Sequence, residues 1–196
     1  AFYGNTIFPN GIYSPSQNKT YIVYQTTSYG RKVIYFDHNS KTFSSAVDIG
    51  GTTLTDDAHG VPSIVLDADG YIYVFYGSHN STQYFKRSSN PYDISSWNAE
   101  QSVPGIAKTY PKAFLRDSLI FLFFRGDYGD WDSQFAFATF NGTDWSDIEK
   151  LTNFDPGNTY IYGIVWLDDQ GTFHLAWVWY DHANDLRKNL YYMKSD

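Results

Sequence analysis

Several features are missing from the 196-residue chain, and each absence excludes a class of protein. The chain contains no cysteine, which excludes disulfide bonds and metal sites built from thiolates. It has no run of about 18 apolar residues, so we expect no membrane-spanning segment. Lys and Arg number 14 against 21 Asp and Glu, and the net charge of -7 argues against a protein that binds nucleic acid.

Aromatic residues, in contrast, are abundant. They make up 20% of the chain, with 18 Tyr and 15 Phe, whereas there is one Met. Aromatic and β-branched residues favour strands, and few segments show the i, i+3, i+4 spacing of apolar residues that is typical of helices. The composition therefore predicts an all-β fold.

One stretch, DDAHGVPSIVLDADGYIYVFYGSHN, reads as a β-hairpin with a histidine at each end. An apolar run at 61–66 and an aromatic run at 71–76 flank the turn 67–70, which is rich in Asp and Gly. A hairpin returns the chain to the edge where it began. We therefore expect His59 and His79 to lie close together on one face of the fold, although they are twenty residues apart in sequence.

The same hairpin pattern recurs along the chain. Its second strands begin at Thr20, Tyr71, Leu119 and Phe173, which gives separations of 51, 48 and 54 residues. Four-stranded units at roughly this period are typical of β-propeller blades. We predict a single β-propeller domain over 1–196, made of four-stranded antiparallel blades, with about four blades at 10–48, 61–103, 111–151 and 162–196. A β-sandwich of successive hairpins is the alternative.

The predicted propeller brings the loops before each first strand and after each second strand to one face. His59, His79, Tyr110 and Arg125 lie in these loops, whereas His38 falls on the opposite face. Arg can bind a carboxylate through two hydrogen bonds, and His or Tyr can transfer protons. Each residue also has a structural interpretation: His79 could only bond its own loop, and Tyr110 could be one more packing aromatic.

Other polar residues give weaker signals. Asp56 and Asp57 precede His59, but zinc sites need three or four ligands and hard metals need more carboxylates. We therefore predict no catalytic metal and no cofactor, while a structural divalent metal is left open. His174 lies in an apolar strand, where we expect a hydrogen-bonded histidine between blades.

Four segments carry a resemblance to a known family. They are DDAHGVPSIVLDADGYIYVFYGSHN, NPYDISSW (90–97), TYPKAF (109–114) and HLAWVWYD (174–181). Together they resemble the BNR-4 type repeat proteins, a neuraminidase-repeat-like propeller family, and within it the propeller ulvan lyases. The likeness extends over residues 10–196. Family propellers have more than four blades, so the resemblance implies the N-terminal part of a larger propeller; a closed four-bladed ring, with residues 2–8 as the missing outer strand, is the alternative.

The resemblance also implies an activity. We expect a secreted, extracellular or periplasmic polysaccharide lyase that cleaves a uronic-acid-containing, sulfated glycan by β-elimination. The family's two histidines match His59 and His79, and its Tyr and Arg are carried onto Tyr110 and Arg125, whose spacing only approximates the family's. We expect further substrate contacts from Asn80, Lys112, Tyr162 and His182.

Two other functions fit the same scaffold. A glycoside hydrolase would need two facing carboxylates, and candidates are Asp56, Asp57, Asp127, Asp130 and Asp181. A non-catalytic glycan-binding module would suit the aromatic surface. A sialidase is not favoured, because the chain has only five arginines and no complete Asp box.

Overall fold

A computed structural model describes residues 10–52, 58–127, 132–153, 159–181 and 184–196. Within these ranges the chain is almost entirely β-structure, with one turn of 3-10 helix at Ala58–Gly60 that is too short to span a membrane. The strands are β1 (Gly11–Ser14), β2 (Lys19–Gln25), β3 (Arg31–Asp37), β4 (Thr42–Phe43), β5 (Val47–Asp48), β6 (Ser63–Leu66), β7 (Ile72–Gly77), β8 (Gln83–Arg87), β9 (Gln101–Ser102), β10 (Lys108–Arg116), β11 (Leu119–Asp127), β12 (Asp132–Phe140), β13 (Glu149–Lys150), β14 (Thr159–Leu167), β15 (Phe173–Asp181) and β16 (Leu186–Lys194).

The strands form three sheets of successive antiparallel hairpins. The first has the order β1-β2-β3-β4, with β5 also paired to β3, and the second has the order β6-β7-β8-β9. The third joins the last two predicted units in the order β10-β11-β12-β14-β15-β16, with β13 also paired to β12. The link is a short parallel pairing in which Ser133 lies opposite Tyr160.

Side chains that cap the turns explain why these hairpins form. In the turn after β6, the Oδ1 atom of Asp67 accepts hydrogen bonds from the backbone N–H groups of Asp69 and Tyr71. Gly70 follows with a φ of 91°, a conformation that costs glycine little. The turn after β14 repeats this arrangement with Asp168.

The hydrophobic core consists of three aromatic-rich clusters. One lies between the first and second sheets around Tyr21 and Tyr76, and another lies between the second and third sheets around Phe85 and Phe124. The last fills the space between the β10–β12 and β14–β16 halves of the third sheet, around Phe173. Each pair of neighbouring units therefore shares one buried layer.

The architecture agrees with the sequence in its fold class and in its hairpins. The all-β fold and its antiparallel hairpins are confirmed, and the strands lie within a few residues of the predicted bounds. One detail differs: the third and fourth units are joined in one sheet. The fourth unit has three strands within the described residues, as expected for a unit whose outer strand was predicted to be missing. Residues 2–8 lie outside the described ranges, and the closed ring and the number of blades stay predictions.

Replacing Phe85 by alanine should lower the free energy of unfolding by about 3–5 kcal/mol, because this ring is 1% exposed and its loss leaves a cavity. Phe43→Ala is the matched control: Phe43 is 63% exposed, so we expect a change of less than about 0.5 kcal/mol. Equilibrium urea unfolding measures both variants. Similar losses in the two would contradict the assignment of Phe85 to the core.

Candidate active site

Two histidines meet at one edge of the second sheet. His59 lies in the helical turn before β6, and His79 lies in the tight turn between β7 and β8. Because β6 and β7 are antiparallel, the start of one strand and the end of the other are neighbours. The two imidazole rings are 4.5 Å apart between centroids, at an angle of 64°.

Tyr110 reaches this pair from the third sheet by means of a β-bulge. The register between β10 and β11 shifts between Thr109 and Lys112, and Tyr110 has a φ of 60°. A left-handed conformation is costly for an aromatic residue, and bulges of this kind often redirect a side chain beside an active site. Here the ring centroid of Tyr110 lies 5.3 Å from that of His59.

Arg125, on β11, is a buried cation with a side chain that is 1% exposed. Its Nη2 atom lies 2.8 Å from Nε2 of His79, while its Nε and Nη1 atoms have no hydrogen-bond partner among the described residues. The rings of Tyr110, Tyr160 and Tyr162 surround the guanidinium, with centroids 5.1, 5.3 and 5.2 Å from Cζ. No described carboxylate forms an ion pair with it, and the described groups around its charge are dipoles and ring faces.

The Arg125–His79 hydrogen bond fixes the state of the imidazole. A guanidinium can only donate hydrogen bonds, so Nε2 of His79 must be the acceptor and carries no proton. His79 is then neutral, with its proton on Nδ1.

Lys112 lies behind Arg125 and is itself 2% exposed. Its Nζ donates a hydrogen bond to the carbonyl oxygen of Tyr110 at 3.3 Å and lies 5.5 Å from the ring centroid of Phe135. Burial, together with the nearby charge of Arg125, lowers the pKa of Lys112 to about 7. Much of the amine is therefore neutral near pH 7, which limits its repulsion of Arg125.

A cleft of about 450 Å³ opens in front of these residues. His59 and Tyr110 form one wall, and Tyr162, Tyr180 and Arg187 line the other side together with apolar side chains of β14–β16. The cleft has the size and mixed lining of a small-ligand site. His79 and Arg125 lie immediately behind this lining, so the structure brings the four predicted catalytic residues together in two layers.

Two strand boundaries differ from the sequence predictions. Tyr110 and Arg125 were predicted in loops, but they lie within β10 and β11. These strands extend further than expected because Thr109 and Arg125 still pair beyond the bulge. Both side chains are therefore held by the sheet.

The predicted substrate-binding residues have different surroundings. Asn80 holds the His79 turn against β10, since its N–H donates to Oγ1 of Thr109 and its Oδ1 accepts from the same hydroxyl. Tyr162 lines the cleft directly, whereas Lys112 is buried behind it. His182 lies outside the described residues.

The carboxylates proposed for a hydrolase are only partly described. Asp56, Asp57 and Asp130 lie outside the described residues. Asp181 accepts hydrogen bonds from Lys188 and Asn184, and these lower the pKa of its carboxyl group to about 2. A general acid needs a raised pKa, so Asp181 does not suit that role.

The other two described histidines, His38 and His174, have hydrogen-bond partners elsewhere in the structure. His38 follows the last residue of β3 and forms a hydrogen bond with Thr20. It therefore lies at the end of the β2–β3 hairpin that is remote from the turn joining these two strands. His174 bonds Asp168 at 2.9 Å and Tyr192 at 2.7 Å, so it is hydrogen-bonded as expected. Both partners belong to its own unit, however, and not to a neighbouring blade as predicted. Among the described ranges, no three His, Asp or Glu side chains cluster in a way that could hold a metal ion.

Arg187 is the residue of the cleft that sequence reasoning missed. His182, five residues earlier, was predicted to contact substrate, but no role was assigned to the arginine. Its position follows from β15 and β16, which extend far enough to place Arg187 opposite Tyr180. The available signal was a basic pair, Arg187-Lys188, in a loop on the predicted functional face.

Comparisons with known proteins identify relatives over most of the chain. An ulvan lyase from Alteromonas sp. (strain LOR) is 28% identical over 150 residues, which are 64% of this chain and 29% of the relative. An ulvan lyase from Nonlabens ulvanivorans is 24% identical over 159 residues, or 66% of this chain and 33% of the relative. The chain thus spans about a third of the length of these curated relatives.

Solved structures share the fold at low identity. An ulvan lyase, described as a new family of polysaccharide lyase, has a TM-score of 0.82 at 20% identity and covers 97% of this chain and 52% of that chain. An arabinanase from Penicillium chrysogenum has a TM-score of 0.67 at 12% identity, with coverages of 99% and 64%. The fold is therefore shared with both lyases and glycosidases.

A family model provides the broadest match. Residues 15–196 match BNR_4, which is described as a BNR repeat-containing family member. The match includes both histidines, the bulged Tyr110 and Arg125, and it spans all three sheets. The chain therefore belongs to the BNR_4 family.

Proposed function

We propose that this protein is a polysaccharide lyase that cleaves a uronic-acid-containing, sulfated glycan by β-elimination. Curated relatives named ulvan lyase support the reaction class. A solved ulvan lyase of the same fold is bound to a chain of glucuronic acid and sulfated rhamnose, which supports the substrate class. An extracellular or periplasmic location would follow from a polymeric substrate.

The observation that carries the proposal is the guanidinium of Arg125, which has no carboxylate partner among the described residues and lies beside two histidines and a tyrosine. Within the part of the chain that the structure describes, Nε and Nη1 of Arg125 are buried without an acceptor, which is costly unless a ligand supplies one. A carboxylate matches a guanidinium in shape and in charge. Because Arg125 is 1% exposed, the tyrosine rings around it must shift for a substrate carboxylate to make this contact.

Binding at Arg125 would prepare the uronate for proton loss. Partial neutralisation of the carboxylate makes the proton on C5 more acidic, and positioned charges of this kind contribute several kcal/mol to catalysis, on the order of 3 per group. When a base takes the C5 proton, the electron pair of the broken C5–H bond forms the C4–C5 double bond. The bond from C4 to the glycosidic oxygen then breaks, and that oxygen receives a proton.

The hydrogen bond between Arg125 and His79 restricts the proton-transfer roles. Since Nε2 of His79 already accepts from Arg125, this ring offers the Nδ1 proton as a donor. His59 and Tyr110 line the cleft and contact each other, so one of them is placed to remove the C5 proton. We propose His59 as the base, because an imidazole is the better acceptor near neutral pH.

The predicted propeller gives this site its setting, and we propose it for the described sheets. The first strands of the first three units contact each other, β1 with β6 and β6 with β10. Such contacts suit blades whose first strands surround a common axis. The cleft would then lie at one end of that axis.

The reaction itself is tested by incubating the protein with a panel of acidic polysaccharides. We expect fragments whose new non-reducing ends absorb in the ultraviolet, because β-elimination leaves a double bond conjugated to the carboxylate. New reducing ends without this absorbance would indicate hydrolysis and would sink the proposal. Binding without any cleavage would favour a glycan-binding module.

Variants of the site test the roles of its residues. His59→Ala should lower kcat by about 10²–10⁴-fold through loss of the base, and Arg125→Lys by about 10²–10³-fold through loss of the paired donors. His174→Ala is the matched histidine control, since His174 bonds Asp168 and Tyr192 away from the cleft. Initial rates of ultraviolet absorbance measure all three, and wild-type kcat in His59→Ala would refute its role.

The lowered pKa of Lys112 predicts a pH dependence of stability. Between pH 7 and about 10 the unfolded chain holds a proton on Lys112 that the folded chain has lost, so stability rises with pH. Lys112→Met removes the titrating amine. The slope of the free energy of unfolding against pH should therefore fall by up to about 1.4 kcal/mol per pH unit, the contribution of one proton. Urea unfolding across this range measures the slope, with exposed Lys194→Met as control. Parallel curves for wild type and Lys112→Met would contradict the assignment.

A further inference from the structure

A second arginine faces the cleft from its outer wall. Arg187 lies on β16, is exposed, and lines the same cleft as His59 and Tyr110. Its Cζ atom is 5.3 Å from the ring centroid of Tyr162 and 5.4 Å from that of Tyr180. The two rings hold the planar guanidinium against the wall while leaving its N–H groups accessible.

The charge of Arg187 is not compensated by any described carboxylate. Two acidic side chains lie nearby in sequence, but each has another partner. Asp181 forms an ion pair with Lys188 at 2.7 Å, and Asp185 accepts the hydroxyl of Tyr180 at 2.7 Å. Adjacent cations on one strand therefore differ: Lys188 is neutralised within the protein, while Arg187 is available to an anion from solution.

Arg187 and Arg125 are linked through a single ring. Tyr162 lies 5.2 Å from Cζ of Arg125 and 5.3 Å from Cζ of Arg187. The two guanidinium carbons are therefore at most about 10.5 Å apart, which is the sum of these two distances. Neighbouring sugars of one glycan chain can present two anionic groups at such a separation.

We propose that Arg187 binds the sulfate ester on the sugar next to the uronate held by Arg125. This inference rests on the proposed function, and it assigns the residue that recognises the second anion of the substrate. A guanidinium matches the oxygens of a sulfate with two parallel hydrogen bonds, and an exposed arginine keeps its charge at every physiological pH. Arg187 then selects sulfated over unsulfated chains, while the uronate site supplies the chemistry.

The test compares three probes: a sulfated uronate oligosaccharide, its chemically desulfated form, and an oligosaccharide of uronates alone. Calorimetry gives Kd in a His59→Ala background, so that binding is measured without turnover. We expect Arg187→Ala to weaken binding of the sulfated probe by about 10-fold or more, the range of a charged hydrogen bond. Binding of the other two probes should change by less than about 2-fold.

Two further variants serve as controls. Lys188→Ala, on the same strand, should leave the preference for the sulfated probe unchanged, because its charge is already paired with Asp181. Arg187→Lys keeps the charge but loses the paired donors, and we expect it to recover only part of the affinity. Unfolding midpoints of all variants should match, since Arg187 is exposed.

The outcomes separate this inference from the proposed function. An equal loss on sulfated and desulfated probes, or no loss on either, overturns the sulfate site. An equal loss on the all-uronate probe assigns Arg187 to a carboxylate and also overturns it. Absence of an unsaturated product from the wild-type protein refutes the lyase, whereas sulfate-selective binding that depends on Arg187 would still support the site.

Discussion

The candidate site depends on a positive charge that the fold removes from water. Arg125 is fully buried, and three tyrosine rings and one imidazole surround it where a carboxylate would normally be expected. Burial of a cation without a carboxylate partner opposes folding. Among the described residues Arg125 has no such partner, and the carboxylate of the proposed substrate would supply it. The hydrogen bond from Arg125 keeps the proton of His79 off Nε2, and burial together with the charge of Arg125 lowers the pKa of Lys112.

The antiparallel hairpins bring these groups together from distant parts of the chain. One hairpin places His59 and His79 at the same sheet edge, and the next supplies Arg125 from its second strand. A bulge turns Tyr110 toward the histidines at the cost of a left-handed backbone. The final hairpin then closes the cleft with Tyr162 and Arg187. Polar groups thus converge from three consecutive units, with aromatic layers holding the units in place.

The hairpins and the pairing of the histidines could be predicted because both follow from local patterns. Asp67–Gly70 specifies a turn, alternating aromatic residues specify strands, and a hairpin must return its ends to one edge. The bulge at Tyr110 could not be predicted, since it depends on pairing with β11 rather than on the local sequence. The burial of Lys112 and the exposure of Arg187 also depend on contacts between units. The parallel link at Ser133 likewise has no local signal.

The central claim is that Arg125 binds the carboxylate of a uronate. A crystal structure of the protein with a uronate-containing oligosaccharide, in a His59→Ala background, tests it most directly. The account predicts a carboxylate within hydrogen-bond distance of Nε or Nη1 of Arg125, the two atoms that have no partner in the described ranges, with the surrounding tyrosine rings displaced. An oligosaccharide bound in the cleft while Arg125 stays covered by those rings would contradict it.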